Sequence, residues 1–195
     1  MPKYPQNKIG IFGGTFNPIH IGHLAMAEAI RETIGLKKVI FVPSYMPPHK
    51  SSRKLTAAAL RFQMVKSAIK DNVFFGLSDS EIKRQGKSYS VDTLRYFRKT
   101  YGRSTGLYFI IGADSLPELK KWREVKNIFK LARIVVVNRP GYSLKNLPSG
   151  AVSINLPGID VSSSQIRRLI GRGSSIRYLV PQAVCKIIQR HKLYR

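Results

Sequence analysis

Cysteine is nearly absent. Cys185 stands alone in 195 residues, so no internal disulfide can form, and no Cys/His set has the spacing of a zinc site. Chains of this kind suit a reducing compartment. Acidic residues are scarce as well, 10 Asp+Glu against 34 Lys+Arg, and no carboxylate cluster suggests an all-protein metal cage. No apolar run approaches bilayer-spanning length, and Met1-Pro2-Lys3-Tyr4-Pro5-Gln6-Asn7 lacks the apolar stretch of a signal peptide. These absences predict a soluble, cytoplasmic protein with no membrane partner. Repeats and low-complexity segments are missing too. With 43% apolar residues the chain can bury the core of one domain.

What is abundant is positive charge, +24 in all. Such a balance draws polyanions, whether nucleic acid, anionic membrane or phosphorylated metabolites. Basic residues number 6, 11, 9 and 8 in residues 1–50, 51–100, 101–150 and 151–195, and the longest runs are pairs such as Lys120-Lys121 and Arg167-Arg168. An even spread reads as a solvated basic surface that binds nucleic acid only non-specifically. No RNA-binding motif appears, and aromatics are not interleaved with the basic residues. A dedicated nucleic-acid-binding protein is the less favoured reading.

Short β-rich runs alternate with helical patterns, which predicts βαβ units on a parallel sheet. Lys8 to Phe12 reads as a first strand ending at Gly13-Gly14. Helical spacing follows in Leu24, Ala27, Ile30 and Ile34, stopped by Gly35. Further strands are predicted over 39–42, 73–77, 107–111, 133–137 and, more weakly, 151–154, with helices near 57–69 and 90–101. Two helical patterns close the chain, one opening at Ser162 and one running from Pro181. The fold expected is a doubly wound, Rossmann-like α/β sheet with a short helical C-terminal piece. Residues 1–160 would form the nucleotide-binding α/β domain and 161–195 a helical segment completing it.

Two segments carry chemistry. Gly13-Gly14-Thr15-Phe16-Asn17-Pro18-Ile19-His20-Ile21-Gly22-His23 lies between the first strand and the first helix. Ligands of open parallel sheets bind beyond the C-terminal strand ends, and a helix start there offers free N–H groups and a positive dipole end to phosphate. His20 and His23, three apart, share a helix face and can donate to phosphate oxygens. In the second segment, Val161-Ser162-Ser163-Ser164-Gln165-Ile166-Arg167-Arg168, Ser162 and Gln165 have capping-box spacing. Serine hydroxyls and free N–H groups make a second anion site, which Arg167 can reach with a planar donor fork. Two decoys are excluded. G-x-G-x-x-G is absent, and Gly86-Lys87-Ser88 imitates the end of a P-loop whose first glycine position holds Glu81.

The first segment resembles the histidine-x-glycine-histidine signature of the nucleotidyltransferase superfamily, and the second resembles its serine-rich late motif. Within that superfamily the chain resembles bacterial nicotinate-nucleotide adenylyltransferases over nearly its whole length. Pro47-Pro48-His49-Lys50, Ser88 to Leu94, Gly112-Ala113-Asp114-Ser115 with Leu119 and Trp122, and Asn138-Arg139-Pro140-Gly141 carry the closer match. The resemblance implies adenylyl transfer from ATP to nicotinate mononucleotide. Phosphopantetheine or another small phosphate is the alternative acceptor.

By the same resemblance His20, His23 and Arg167 would be catalytic, and Gly13, Gly14, Thr15, Phe16, Ser162 and Ser163 would bind ATP. His49, Lys50, Ser90, Asp114, Trp122 and Arg139 would bind substrate: Lys50 the acceptor phosphate, Asp114 a ribose, Trp122 the face of the pyridine ring, and Ser90, through its backbone N–H, the pyridine carboxylate. Read from its own surroundings, Asp114 could instead cap the segment after its strand, and Trp122 could be simple core. No metal-binding residues are expected; magnesium would be carried in with ATP. A homo-oligomer is left open. Two departures from the family pattern stand out: Asn17 where aspartate is common, and Arg123 where an aromatic residue often follows the tryptophan.

Overall fold

Near-continuous apolar runs such as Ile134-Val135-Val136-Val137 suit strands covered on both faces. The computed structural model describes residues 7–48, 55–138, 147–154 and 160–195. Its strands are β1 (Lys8–Gly14), β2 (Lys38–Pro43), β3 (Phe75–Leu77), β4 (Gly106–Gly112), β5 (Arg133–Val137) and β6 (Val152–Ile154). All pair in parallel, in the order β3-β2-β1-β4-β5-β6. This is the doubly wound, Rossmann-like sheet expected, and its order reverses between β1 and β4.

Alternation along each strand sends side chains to two separate cores. Phe12, Phe41, Tyr108, Ile110, Val135 and Val137 pack on one face with Ala27 and Ile30 of α1 (Ile21–Ile34) and Met64 and Val65 of α2 (Ala58–Ile69). Ile166 of α7 (Ser163–Gly171) and Val184, Ile187 and Ile188 of α8 (Gln182–Arg190) join that same face. Ile9, Ile11, Ile40, Phe109, Ile111 and Ile134 pack on the other with Val91, Leu94 and Phe97 of α4 (Ser90–Tyr101) and Ile128 of α6 (Val125–Leu131). Each fully buried side chain of this size contributes roughly 2 kcal/mol. Among the described residues no helix is long and apolar enough to cross a membrane.

Two differences from the sequence expectations have local causes. The strand expected over 73–77 begins only at Phe75. Asn72 turns the chain there, its side-chain oxygen accepting from the N–H of Phe74 at 2.9 Å, which leaves Val73 82% exposed. The Phe74 ring is covered instead by the Arg31 guanidinium, 4.3 Å from its centroid. The other difference is three helices the periodicity did not reveal, α3 (Ser80–Arg84), α5 (Leu116–Leu119) and α6. At 5, 4 and 7 residues they are too short to display a helical period.

Candidate active site

Where strand order reverses, a crevice opens beyond the ends of β1 and β4, and both chemistry-bearing segments meet in it. The turn after β1 is set by Phe16, which is buried with a left-handed φ of 47°. That conformation costs a bulky residue of order 1–3 kcal/mol. Packing of its ring against Phe12 and Phe41, with centroids 5.5 and 5.8 Å away, holds it. The same ring meets His23 edge-on at 5.1 Å.

His20 is the N-cap of α1 and is buried, its ring 3.7 Å from that of His23. The backbone N–H of His20 donates to His23 Nδ1 at 3.3 Å. With Nδ1 accepting, the ring carries its hydrogen on Nε2. Gly22 permits this crowding, since a Cβ there would lie 3.1 Å from His20 Nδ1.

The late helix α7 starts against this turn. Ser162 caps it, its hydroxyl accepting from the N–H of Gln165 at 3.1 Å. Ser163 Oγ donates to the carbonyl of Pro18 at 2.8 Å, and Arg167 Nη1 donates to that of Asn17, also at 2.8 Å. The starts of α1 and α7 therefore border one cavity of about 740 Å³, lined by Gly13 to Asn17, both histidines, Ser162 to Ser164, Arg167 and Asp114. The Ser163 hydroxyl hydrogen is committed to the turn, as is one Arg167 donor, while Arg167 Nη2 bonds Ser164 Oγ at 3.1 Å; these use two of the five guanidinium N–H donors.

Asp114 lies inside the 3₁₀ turn Ala113–Ser115, whose N-cap position is held by Gly112. Its carboxylate folds back over Gly112, where a Cβ would sit 2.2 Å from Oδ1. A larger residue there would push the carboxylate aside.

A second cavity of about 410 Å³ adjoins the first and shares Gly13, Gly14, Thr15, Gly112 and Ser115 with it. Trp122 is half-buried there, edge-on to Phe109 at 6.2 Å, and Tyr89 and Ser90 stand at the start of α4. Trp122 thus belongs both to the second core and to a cavity wall. His49, Lys50 and Arg139 lie outside the described residues.

Several residues escaped the sequence reading. Arg61 is fully buried. It donates to the carbonyls of Thr56 (2.8 Å), Thr15 (2.8 Å) and Tyr45 (2.9 Å), tying the glycine turn to the loop after β2. Burial pulls its pKa down to about 10, opposed by the electrostatic effect of Tyr194 and Glu81. A lone cation at i−3 and i−4 from Met64 and Val65 was the available signal.

The Tyr45 N–H donates to Ser88 Oγ at 2.9 Å, so that residue is held from both sides. Ser44, buried beside it on the smaller cavity, has a hydroxyl with no hydrogen-bond partner among the described residues. Glu81, also on that cavity, accepts from the Thr93 hydroxyl at 2.5 Å, and burial raises its carboxyl above the usual range. From the far end of the chain, Tyr194 OH donates to Asn17 Oδ1 at 2.8 Å, and burial pushes the phenol up to about 12.

Comparison with known proteins by family model, by sequence and by structure finds relatives each time. The model of the family described as cytidylyltransferase-like matches residues 11–169. A protein of Desulfitobacterium hafniense named "Probable nicotinate-nucleotide adenylyltransferase" is 42% identical, covering 98% of this chain and 97% of its own. One of Lactiplantibacillus plantarum with the same name is also 42% identical, covering 97% and 89%. In structure, the nicotinic acid mononucleotide adenylyltransferase of Plasmodium falciparum, complexed with NaAD, superposes with a TM-score of 0.81 at 19% identity, covering 96% of this chain and 97% of its own. That last likeness concerns the fold.

Proposed function

The chain belongs to the cytidylyltransferase-like family and, within it, to the nicotinate-nucleotide adenylyltransferases, and from that premise we infer that it transfers the adenylyl group of ATP to nicotinate mononucleotide. The products are the deamido dinucleotide and pyrophosphate. A phosphate oxygen of the acceptor attacks the α-phosphorus, a new P–O bond forms, and the bond to the β-phosphate oxygen breaks. The acceptor oxygen is already anionic, so no general base is required. What the reaction needs is in-line placement and neutralisation of charge on the α-phosphate and pyrophosphate.

The observation that carries this reading is the pair of adjoining cavities with a shared wall at Gly13, Gly14, Thr15, Gly112 and Ser115. The larger holds ATP, its triphosphate between the starts of α1 and α7, with His23 Nε2 and Arg167 at the charged oxygens. The smaller holds the acceptor, its ring on Trp122. Among the described residues no group of three or more His, Cys, Asp or Glu is placed to bind a metal, and Asp114 is the one carboxylate on the larger cavity. That donor set fits Mg²⁺ carried on the triphosphate oxygens. The net charge of +24 steers anionic substrates in, and any nucleic-acid binding is non-specific. Incubation with ATP and nicotinate mononucleotide should release pyrophosphate and the deamido dinucleotide. Turnover with some other phosphate acceptor alone would refute the assignment.

A further inference from the structure

Arg123 stands on the smaller cavity beside Trp122, and its guanidinium carbon lies 4.8 Å above the centre of the Tyr89 ring. Its surroundings leave that cation underused. The two nearest carboxylates, Asp92 and Glu124, lie 4.0 and 3.9 Å from it, beyond hydrogen-bond distance. Both are already held by Arg95, which bonds Asp92 at 3.4 Å and Glu124 at 3.2 Å. Among the described residues the Arg123 guanidinium makes no hydrogen bond, and 53% of its side chain is exposed. Lys121, the other cation on this cavity, is paired with Glu118 at 3.3 Å.

Electrostatics decide what such a group can do for the acceptor. In a pyridine mononucleotide the ring nitrogen is quaternary, so the ring face is positive and favours the electron-rich face of Trp122. A guanidinium stacked on the opposite face would set cation against cation. Arg123 cannot replace an aromatic second wall in that sense. At the ring edge the sign reverses, because nicotinate carries a carboxylate and nicotinamide a neutral amide. Tyr89 is the N-cap of α4, so the guanidinium over its ring lies beside that helix's positive end, where a carboxylate is favoured and an amide gains little.

We propose that Arg123 is a specificity-determining residue that makes the smaller cavity select a pyridine carboxylate over the corresponding amide. It does so by offering a planar pair of donors at the start of α4. The inference rests on the acceptor being a pyridine mononucleotide. The fork suits two parallel N–H···O bonds to a carboxylate, whereas an amide accepts at one oxygen only and presents its NH₂ donors to donors.

The test measures kcat and KM of the full-length wild type, Arg123→Gln and Arg123→Lys with nicotinate and with nicotinamide mononucleotide at saturating ATP. Arg123→Gln should lower the acid-to-amide ratio of kcat/KM about tenfold, the scale of one charge-assisted bond in a half-open site, with the loss in KM for the acid. Arg123→Lys should recover part of it. A ratio within twofold of wild type in Arg123→Gln, or an equal loss on both acceptors, overturns the proposal. A wild type that uses neither pyridine acceptor sinks the reading beneath it, and the proposal with it.

Discussion

Arg61 offers the most quantitative test of how the site is held. Its guanidinium bonds three buried carbonyls from three segments, at Thr56, Thr15 and Tyr45. Hydrogen bonds from a charged donor contribute about 1.5–3 kcal/mol each, so Arg61→Met removes roughly 5–9 kcal/mol of gross interaction. Against this stands the cost of burying a cation, visible in its pKa falling to about 10. Methionine also refills much of the volume with apolar atoms. The net destabilisation should be about 2–4 kcal/mol, within the stability of an ordinary domain.

The functional cost should be separable from the fold. Thr15 belongs to the wall shared by the two cavities, and Tyr45 follows Ser44 on the acceptor side. Without their common anchor the reacting groups lose alignment, and kcat should fall about tenfold or more. Arg61→Lys keeps the charge, but one nitrogen cannot reach carbonyls on three segments, so it should fall between the two. Urea unfolding gives the first quantity and steady-state turnover at saturating substrates the second. Arg61→Met within about 0.5 kcal/mol of wild type, with turnover within about twofold, would refute the anchoring argument.

Further expectations follow from single groups. His23→Ala should lower turnover by about 10²-fold or more at unchanged fold, the scale of a transition-state charge contact; near-normal turnover removes it from the mechanism. Trp122→Ala should chiefly raise KM for the acceptor, and a variant that unfolds instead would assign that ring to the core. Burial holds the Glu81 carboxyl above its ordinary 4.5, so the folded state keeps that proton longer than the unfolded chain does. Its stabilising contribution is complete below about pH 4.5 and is lost as pH rises through the raised value. Glu81→Gln should therefore gain stability relative to wild type on raising pH over that window; a pH-independent difference in denaturation midpoint would count against it. Chelation of Mg²⁺ should suppress turnover without shifting the thermal midpoint of the substrate-free protein, whereas a lower midpoint would indicate a metal held by the protein itself.

Legibility in the sequence followed the length of the signal. β1, β5, α1 and α4 could be read to within a residue or two, because long periodic stretches leave little ambiguity. Val73 and Phe74 misled because β propensity was overridden by the Asn72 turn and by the cover Arg31 gives Phe74. The glycine turn, the histidine pair at the start of α1 and the capped serine helix were legible as structure, since local spacing alone builds a helix start. Arg61, Ser44 and Tyr194 were not. Arg61 and Tyr194 act through partners distant in sequence, 46 residues from Arg61 to Thr15 and 177 from Tyr194 to Asn17, and the burial of Ser44 is set by the fold.

By itself, then, the order of residues determined the alternation of strands and helices, the starts of α1 and α7, and the family to which they point. Those features need only near neighbours and the period of the backbone. Three things waited on tertiary structure: that both helix starts border one cavity, that a second cavity shares its wall, and that Arg123 is left with an underused cation while Arg95 takes the carboxylates beside it. Strand order sets these, by bringing β1 and β4 side by side though about 90 residues separate them. No local pattern encodes that adjacency.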